Sequence, residues 1–560
     1  MSLKFIAACL DVSRNSVLKM DEIKKFIDLL PQMGYNMCAL YTEDLYEMPE
    51  YEMFGYMRGK YSKNDLKELV AYAKERGVTM YPTIEVLAHL EHIFRWEDFK
   101  DIRDLKNILL VDEPKTYEFI ENMVKTMREI YDTNFLGMSC DEANMIGLGK
   151  FLKKHGYEDP KSIFARHLDR CVDIAHKYGF MPRLSGDMFF SLAGAQYTDN
   201  PDIITPEITA MMPENAILGY WDYFSWEKVI DNMMTCCKKF NRPVSFTATV
   251  MSWTGFTPHN YKAFDRLSIS LPLAVKHDLE GVIMTFWGDD GGECSIWSCL
   301  PAWFYAGQML NGITDMDEIK KRFYDLFQID FDDFCKLDYP VNYKNNLNNF
   351  YSAKPVLYND PFCGIYDDLV DVIAEDTEAY KKGYRDDDPI EVTAESMEEF
   401  KNRYAGYAKE LKALANAKEY GYLFDMSAAL TELLAKKIDL GVKTREVYRS
   451  GDKEALKALI TDYDETYRLL CDFYNKFRTM WYKERKGNGF EVQVVRLGGL
   501  KERLLDCKAR LEDLLDGRID RIEELEEDIK KLHRGHDLKT NAYGKVVTVN
   551  TLTHFNFFGF

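Results

Sequence analysis

The 560-residue sequence has little cysteine for its length. Its twelve cysteines form no paired CxxC set, and Cys236 and Cys237 are adjacent, which suits neither a disulfide scaffold nor a zinc site. A reducing compartment is therefore expected. Long apolar runs are also missing. The N-terminal stretch reaches Asp11 too soon for a signal peptide, and no later run approaches the ~20 residues needed to cross a bilayer. The expectation is a cytoplasmic protein with no membrane partner. Basic charge is in short supply, with 72 Lys and Arg against 92 Asp and Glu. A net charge of −20 repels phosphate backbones and argues against nucleic acid as a partner. The ten histidines form no HExxH or His-x-His set, and no GxGxxG follows the first apolar run, so neither metal nor cofactor is expected.

What remains is an ordinary folded composition, 46% hydrophobic and 29% charged, on a chain long enough for two or three domains. Eight β-rich runs punctuate the first part: Phe5–Leu10, Asn36–Tyr41, Val78–Val86, Asn134–Ser139, Met181–Ser185, Ala216–Trp221, Val244–Met251 and Gly281–Trp287. Each leaves room for a helix before the next. Near-continuous apolar runs alternating with amphipathic segments imply parallel strands covered on both faces, and eight such units predict a TIM (β/α)8 barrel over residues 1–311.

From residue 312 to 560 charged helical patterns dominate, which predicts a mostly α-helical C-terminal domain. The exceptions are a β-rich run at Gly489–Val495 and a short β-like tail from Val546 that carries Phe555, Phe557, Phe558 and Phe560. Leu500, Leu504, Cys507, Leu511 and Leu514 recur at helical spacing, and Ile519, Ile522, Leu525, Ile529 and Leu532 extend the stripe. Packing on its own domain is the first reading of that stripe, and a homodimer seam is the alternative.

Barrel active sites lie at the C-terminal ends of the strands. The residues standing there are Asp11 and Arg14, Glu43 and Asp44, His89, Asp141 and Glu142, Asp187, Trp221 to Tyr223, Trp253, and Trp287 to Asp290. Acids, an arginine and indole faces on one rim fit a sugar, whose C–H faces stack on rings while its hydroxyls meet charged groups. The neighbouring Asp141 and Glu142 repel each other, so one proton is retained to higher pH beside an ionised partner, as a general acid requires. Trp297 and Trp303, spaced for a helix, are expected to be core.

Gly137-Met-Ser-Cys-Asp-Glu-Ala143, with Leu10-Asp-Val-Ser-Arg-Asn15, Leu40-Tyr-Thr-Glu-Asp44, Leu87-Ala-His-Leu-Glu91 and Phe286-Trp-Gly-Asp-Asp290, resembles the family 20 glycoside hydrolases. It is most similar to the branch that includes hexosaminidase D and bacterial exo-hexosaminidases, and the stretch from Gly489 to Leu500 resembles the helical C-terminal part of bacterial members. The resemblance implies a chain without the small N-terminal α/β domain common in that family. It also implies retaining hydrolysis of terminal β-linked GalNAc or GlcNAc from a glycan or glycoconjugate, in which the substrate's 2-acetamido oxygen is the nucleophile.

On the matching positions Glu142 is the general acid and Asp141 orients the acetamido N–H. Arg14 and Asp289, with Trp287, meet the sugar and its hydroxyls; Asp44, His89, Asp187, Trp221 and Trp253 are expected to line the pocket from their place at the strand ends. The sequence departs from the family in the strand before Asp141, where Gly137, Ser139 and Cys140 replace the usual His and Gly. It departs again after the seventh run, where Ser252-Trp-Thr-Gly255 replaces Tyr-x-Asp. Tyr223 is the expected substitute ligand for the acetamido oxygen, with Tyr220 as the alternative. The family 18 signature DxxDxDxE is absent. A barrel that binds N-acetylhexosamine without hydrolysing it is the alternative function, and a glycosidase with its own nucleophile is a third; the branch resembled tilts the epimer choice toward GalNAc.

Overall fold

The computed structural model describes residues 3–194, 197–289, 291–342, 352–364, 366–369 and 395–530. The expected β-like tail, Leu532 and Asp290 lie outside the described residues. Nine parallel strands curl into one sheet: β1 Phe5–Asp11, β2 Met37–Tyr41, β3 Thr79–Met80, β4 Thr83–Glu85, β5 Phe135–Ser139, β6 Met181–Ser185, β7 Ile217–Trp221, β8 Val244–Thr249 and β9 Gly281–Phe286. β1 pairs with β9 as well as with β2, in register Phe5 to Gly281 and Ala7 to Met37.

The third β-rich run is two short strands because Pro82 has no N–H to give the ladder. β3 pairs with β2 and β4 with β5. Around the break, Tyr81 N–H donates to Cys38 O at 3.0 Å, Thr83 Oγ1 donates to Leu40 O at 2.9 Å, and Gly137 N–H donates to Pro82 O at 2.9 Å. These bonds carry the ring across the interruption. Nine segments therefore occupy eight barrel positions, and the (β/α)8 expectation holds.

Alternation along each strand builds two cores. Phe5, Ala7 and Cys9 of β1, Ala39 and Tyr41 of β2, Tyr81 and Ile283 fill the barrel. Ile6, Ala8 and Leu10 face outward into the layer of helices. Those helices read as amphipathic from their spacing. In Met20–Met33 the buried residues are Ile23, Phe26, Ile27, Leu30 and Met33, and the helix ends on Gly34 with φ of +102°. Trp297 and Trp303 are fully buried and meet Phe26 edge-on, as expected of core.

Beyond the barrel lie the helices Met397–Ala413, Gly421–Lys437, Lys453–Glu484 and Phe490–Leu515. The β-rich reading of Gly489–Val495 is corrected: the run opens the last of these helices. Its valines suggested a strand, but the residues it buries, Phe490, Gln493, Leu497, Leu500, Leu504, Cys507 and Leu511, repeat every three or four. That face packs on the helix Lys453–Glu484, so its own chain covers the stripe through Leu511. The second half of the stripe does not continue the helix. Gly517 turns the chain with φ of +72°, and Ile522 and Leu525 are buried around a short turn of helix while Ile529 is exposed. Among the described residues, no helix is long and apolar enough to cross a membrane.

Candidate active site

The inward alternation of the strands runs on into the loops and selects the site. On β5, Phe135 faces into the barrel while Leu136 and Met138 face out, so Asp141 falls on the inner phase. Glu142 follows with φ of +54°, a left-handed turn that swings the second carboxylate toward the same opening. Glu43 and His89 are left-handed too, with φ of +45° and +57°. Such backbone costs about 1–3 kcal/mol per residue and collects where side-chain direction matters more than local comfort.

His89 joins the two acids. Its Nε2 lies 3.4 Å from Asp141 Oδ2 and 3.4 Å from Glu142 Oε2. Burial pulls the His89 pKa down, but the bond to Asp141 and the charges of Asp141 and Glu85 outweigh it and hold the ring up at about 10. Asp141 also accepts from Ser185 Oγ at 3.0 Å. Burial would raise its pKa, yet His89 reverses the sign and keeps Asp141 below the usual range, hence ionised. Asp187 takes the opposite state. Burial, then the neighbouring Asp141 charge, pushes it up to about 7, although it accepts from Glu142 N–H at 2.9 Å. The Glu142 side chain is 54% exposed and is the carboxyl of the cluster that solvent and a ligand reach first.

A second group stands on the neighbouring arc. Arg14 lies 3.1 Å from Glu43 Oε1 and 3.4 Å from Glu91 Oε1, and its Nη2 is 3.3 Å from His89 Nδ1. Burial raises the Glu43 pKa to about 8 against the opposing pull of Arg14. Asp11 ties the loops together: Oδ1 accepts from Ser13 N–H at 2.8 Å and Oδ2 from Gly288 N–H at 2.9 Å. That second bond sets the turn between Trp287 and the exposed Asp289.

Aromatic rings close the third side. Trp287 Nε1–H donates to the Tyr223 hydroxyl at 2.9 Å, and its ring stands edge-on to Tyr41. Tyr223 stacks on Trp221 with centroids 5.3 Å apart and lies 5.7 Å from the ring of Trp253. Deeper in the barrel, Arg183 donates from Nε to Ser245 Oγ at 2.7 Å and from Nη2 to Thr247 Oγ1 at 2.5 Å. Gly219 makes room for it, since a Cβ there would stand 2.4 Å from the guanidinium carbon.

The structure thus gathers Arg14, His89, Asp141, Glu142 and Asp187 in one connected set, and Trp221, Tyr223, Trp253 and Trp287 in one wall. Two residues stand away from this set: Asp44, expected to line the pocket, and Tyr220, the alternative to the expected Tyr223. Asp44 is buried against Arg58, which also donates to Ser13 O, and it is Glu43 that meets Arg14. Tyr220 points outward and donates to Asp222 Oδ2 at 2.7 Å, so Tyr223 alone of the two tyrosines faces the wall. Glu85 was not singled out from the sequence. It sits on β4, 1% exposed, and burial, then the Asp141 charge, raises its pKa far above the usual range. A lone acid on the inner phase of an apolar run was the available signal.

Fold and rim place the molecule among (β/α)8-barrel proteins with an acid site at the strand ends. Comparison with known families gives the match. The description "Glycosyl hydrolase family 20, catalytic domain" covers residues 4–263, and "Glycoside Hydrolase 20C C-terminal domain" covers 330–542. The chain belongs to glycoside hydrolase family 20. A β-hexosaminidase of Vibrio furnissii is 25% identical over 134 residues, 20% of this chain and 22% of that protein. One of Akkermansia muciniphila is 25% identical over 152 residues, 22% of this chain and 31% of that protein. These alignments span under a third of either relative's length. Among solved structures, a Flavobacterium johnsoniae chitobiase is 14% identical with a TM-score of 0.46, covering 85% of this chain and 78% of that one.

Proposed function

We propose that the protein is an exo-β-N-acetylhexosaminidase that removes terminal β-GalNAc or β-GlcNAc from glycans with retention of configuration, favouring GalNAc. One observation carries the reading: a single imidazole nitrogen shared at 3.4 Å by Asp141 and Glu142, on the same rim as a wall of three indoles and a tyrosine. Family membership and the curated β-hexosaminidase relatives support it.

In this mechanism the sugar stacks on the indole wall while Arg14 and Asp289 meet its O4 and O6 side. Ionised Asp141 accepts the acetamido N–H and turns the carbonyl oxygen toward C1; the Tyr223 hydroxyl donates to that oxygen. The carbonyl oxygen forms a bond to C1 as the glycosidic C1–O bond breaks. Glu142 gives its proton to the departing oxygen. A positive oxazolinium results, and the Asp141 charge stabilises it. Glu142, now ionised, takes a proton from water, whose oxygen attacks C1 and reopens the ring. Two inversions give retention. Twelve cysteines without a disulfide support a cytoplasmic location.

The test is release of chromophore from matched aryl β-GalNAc, β-GlcNAc, β-Gal and β-Glc, with a thiazoline analogue of the oxazolinium as inhibitor. Turnover of the acetamido sugars alone, blocked by the thiazoline, is expected. Equal turnover of the 2-hydroxy sugars would require a nucleophile on the enzyme and overturn the reading. Tight thiazoline binding with no turnover of any glycoside would mark a binding protein.

A further inference from the structure

Between the helices Lys453–Glu484 and Phe490–Leu515 the chain makes a tight connection, and this connection is wedged into the top of the barrel. It touches three loops at once. On the loop after β1, Lys486 N–H donates to Val17 O at 2.8 Å, Lys19 N–H donates to Glu484 O at 2.9 Å, and Gly489 is so close to Asn15 O that a Cβ would come within 1.9 Å. On the loop after β2, Asn488 Nδ2 donates to Met57 O at 2.8 Å and Lys486 Nζ to Gly59 O at 2.8 Å, on either side of Arg58. On the loop after β9, fully buried Arg485 donates to Cys294 O, Glu484 Oε1 accepts from Ser295 Oγ at 2.7 Å, and Gln493 Nε2 donates to Gly291 O at 3.4 Å. On the same loop, Glu293 is paired at 2.8 Å with Lys354 of the helical region, both side chains 1% exposed, and at 3.3 Å with Arg496.

These are the loops that carry Arg14, the Arg58 partner of Asp44, and Trp287 with Asp289. The loops that carry His89, Asp141 and Asp187 take none of the contacts just described. Buried polar groups with several fixed partners have one low-energy arrangement, so the connection sets where the three loops stand. We propose that Arg485 and Gln493 are positioning residues for sugar binding: the helical domain completes the half of the pocket that grips the non-reducing sugar and leaves the acid half to the barrel. The inference rests on the hexosaminidase reading for its substrate but not for its geometry.

The test uses the full chain with Arg485→Met and, separately, Gln493→Leu, so that a folding failure of the first leaves the second. With the acetamido glycoside that the wild type turns over best, KM rises roughly 10-fold while kcat stays within about threefold. In parallel, hydrogen exchange quickens in peptides covering 13–19, 57–61 and 288–295 and is unchanged in those covering 86–92 and 137–142. An unchanged KM with unchanged exchange in a folded variant overturns the proposal, as does a loss of kcat at constant KM. If the wild type hydrolyses no acetamido glycoside, the activity reading fails by itself, and the exchange pattern decides the positioning role.

Discussion

The two arcs of the rim solve the same problem by different means. On the β4, β5 and β6 side, the site is wired to itself: Ser185, His89 and the Glu142 N–H bond the carboxylates at 3.0, 3.4 and 2.9 Å, all within the barrel. On the β1, β2 and β9 side, Arg14 and Asp289 ride on loops that are anchored from outside by Arg485, Lys486, Asn488 and Gln493. The acid arc couples charges over short range, where a small displacement alters a protonation state. The grip arc is the one proposed to meet hydroxyls, where displacement alters affinity first. On the proposed mechanism, chemistry is tied to the strands and recognition to loops that the helical region anchors.

The largest test of that division is Glu142→Gln. It is expected to lower kcat by roughly 10²–10⁴-fold with KM little changed, the loss shrinking as the leaving group becomes more acidic. A full rate on an alkyl glycoside would remove Glu142 from the acid role. Next comes His89→Gln, which breaks the shared bond; a kcat loss of about 10²-fold is expected, with a shifted pH profile. If only KM moved, His89 would belong to the grip arc and the comparison would fail. Arg14→Lys keeps the charge but loses the planar fork, so KM should rise roughly 10-fold, about 1.4 kcal/mol, at near-constant kcat.

The smallest effect is one of pH. Asp187 holds its proton to about 7 in the folded state against 3.8 ordinarily, so the native state binds more protons between those values. Its contribution to stability is therefore lost as pH rises through that window. Asp187→Asn, which cannot ionise, is expected to flatten the fall in urea midpoint between pH 4 and 7 relative to wild type. An equally steep fall in both proteins would place the titration elsewhere, with Glu43 the next group to test.

The barrel was legible because strands buried on both faces read as near-continuous apolar runs. Only Pro82, which splits the third run, changed the strand count. The helical region was legible by its period, except at Gly489–Val495, where valines spoke for a strand and the three-four burial of Phe490, Gln493 and Leu497 decided otherwise. At the site, composition pointed to the right strand ends and sometimes to the wrong neighbour. Asp44 and Glu43 are both acids at one strand end, but the alternating phase sends Glu43 to Arg14 and leaves Asp44 for Arg58. The same phase separates Tyr223 from Tyr220 and would have found Glu85 inside its apolar run.

Sequence by itself determined the sequence-local features: the alternation of strand and helix, the inner and outer phase of each strand, and the acids and rings that stand where the strands stop. These follow from periodicity and side-chain chemistry, which neighbours along the chain suffice to define. Tertiary structure alone decided which charges meet. The contact of Arg14 with Glu43 and His89, the pKa values that burial and neighbouring charge impose on Asp187 and His89, and the hold of Arg485 on a loop nearly two hundred residues earlier (Arg485 to Cys294, separation 191) all depend on distance in space. Electrostatic coupling and desolvation act through that distance, and no local pattern encodes it.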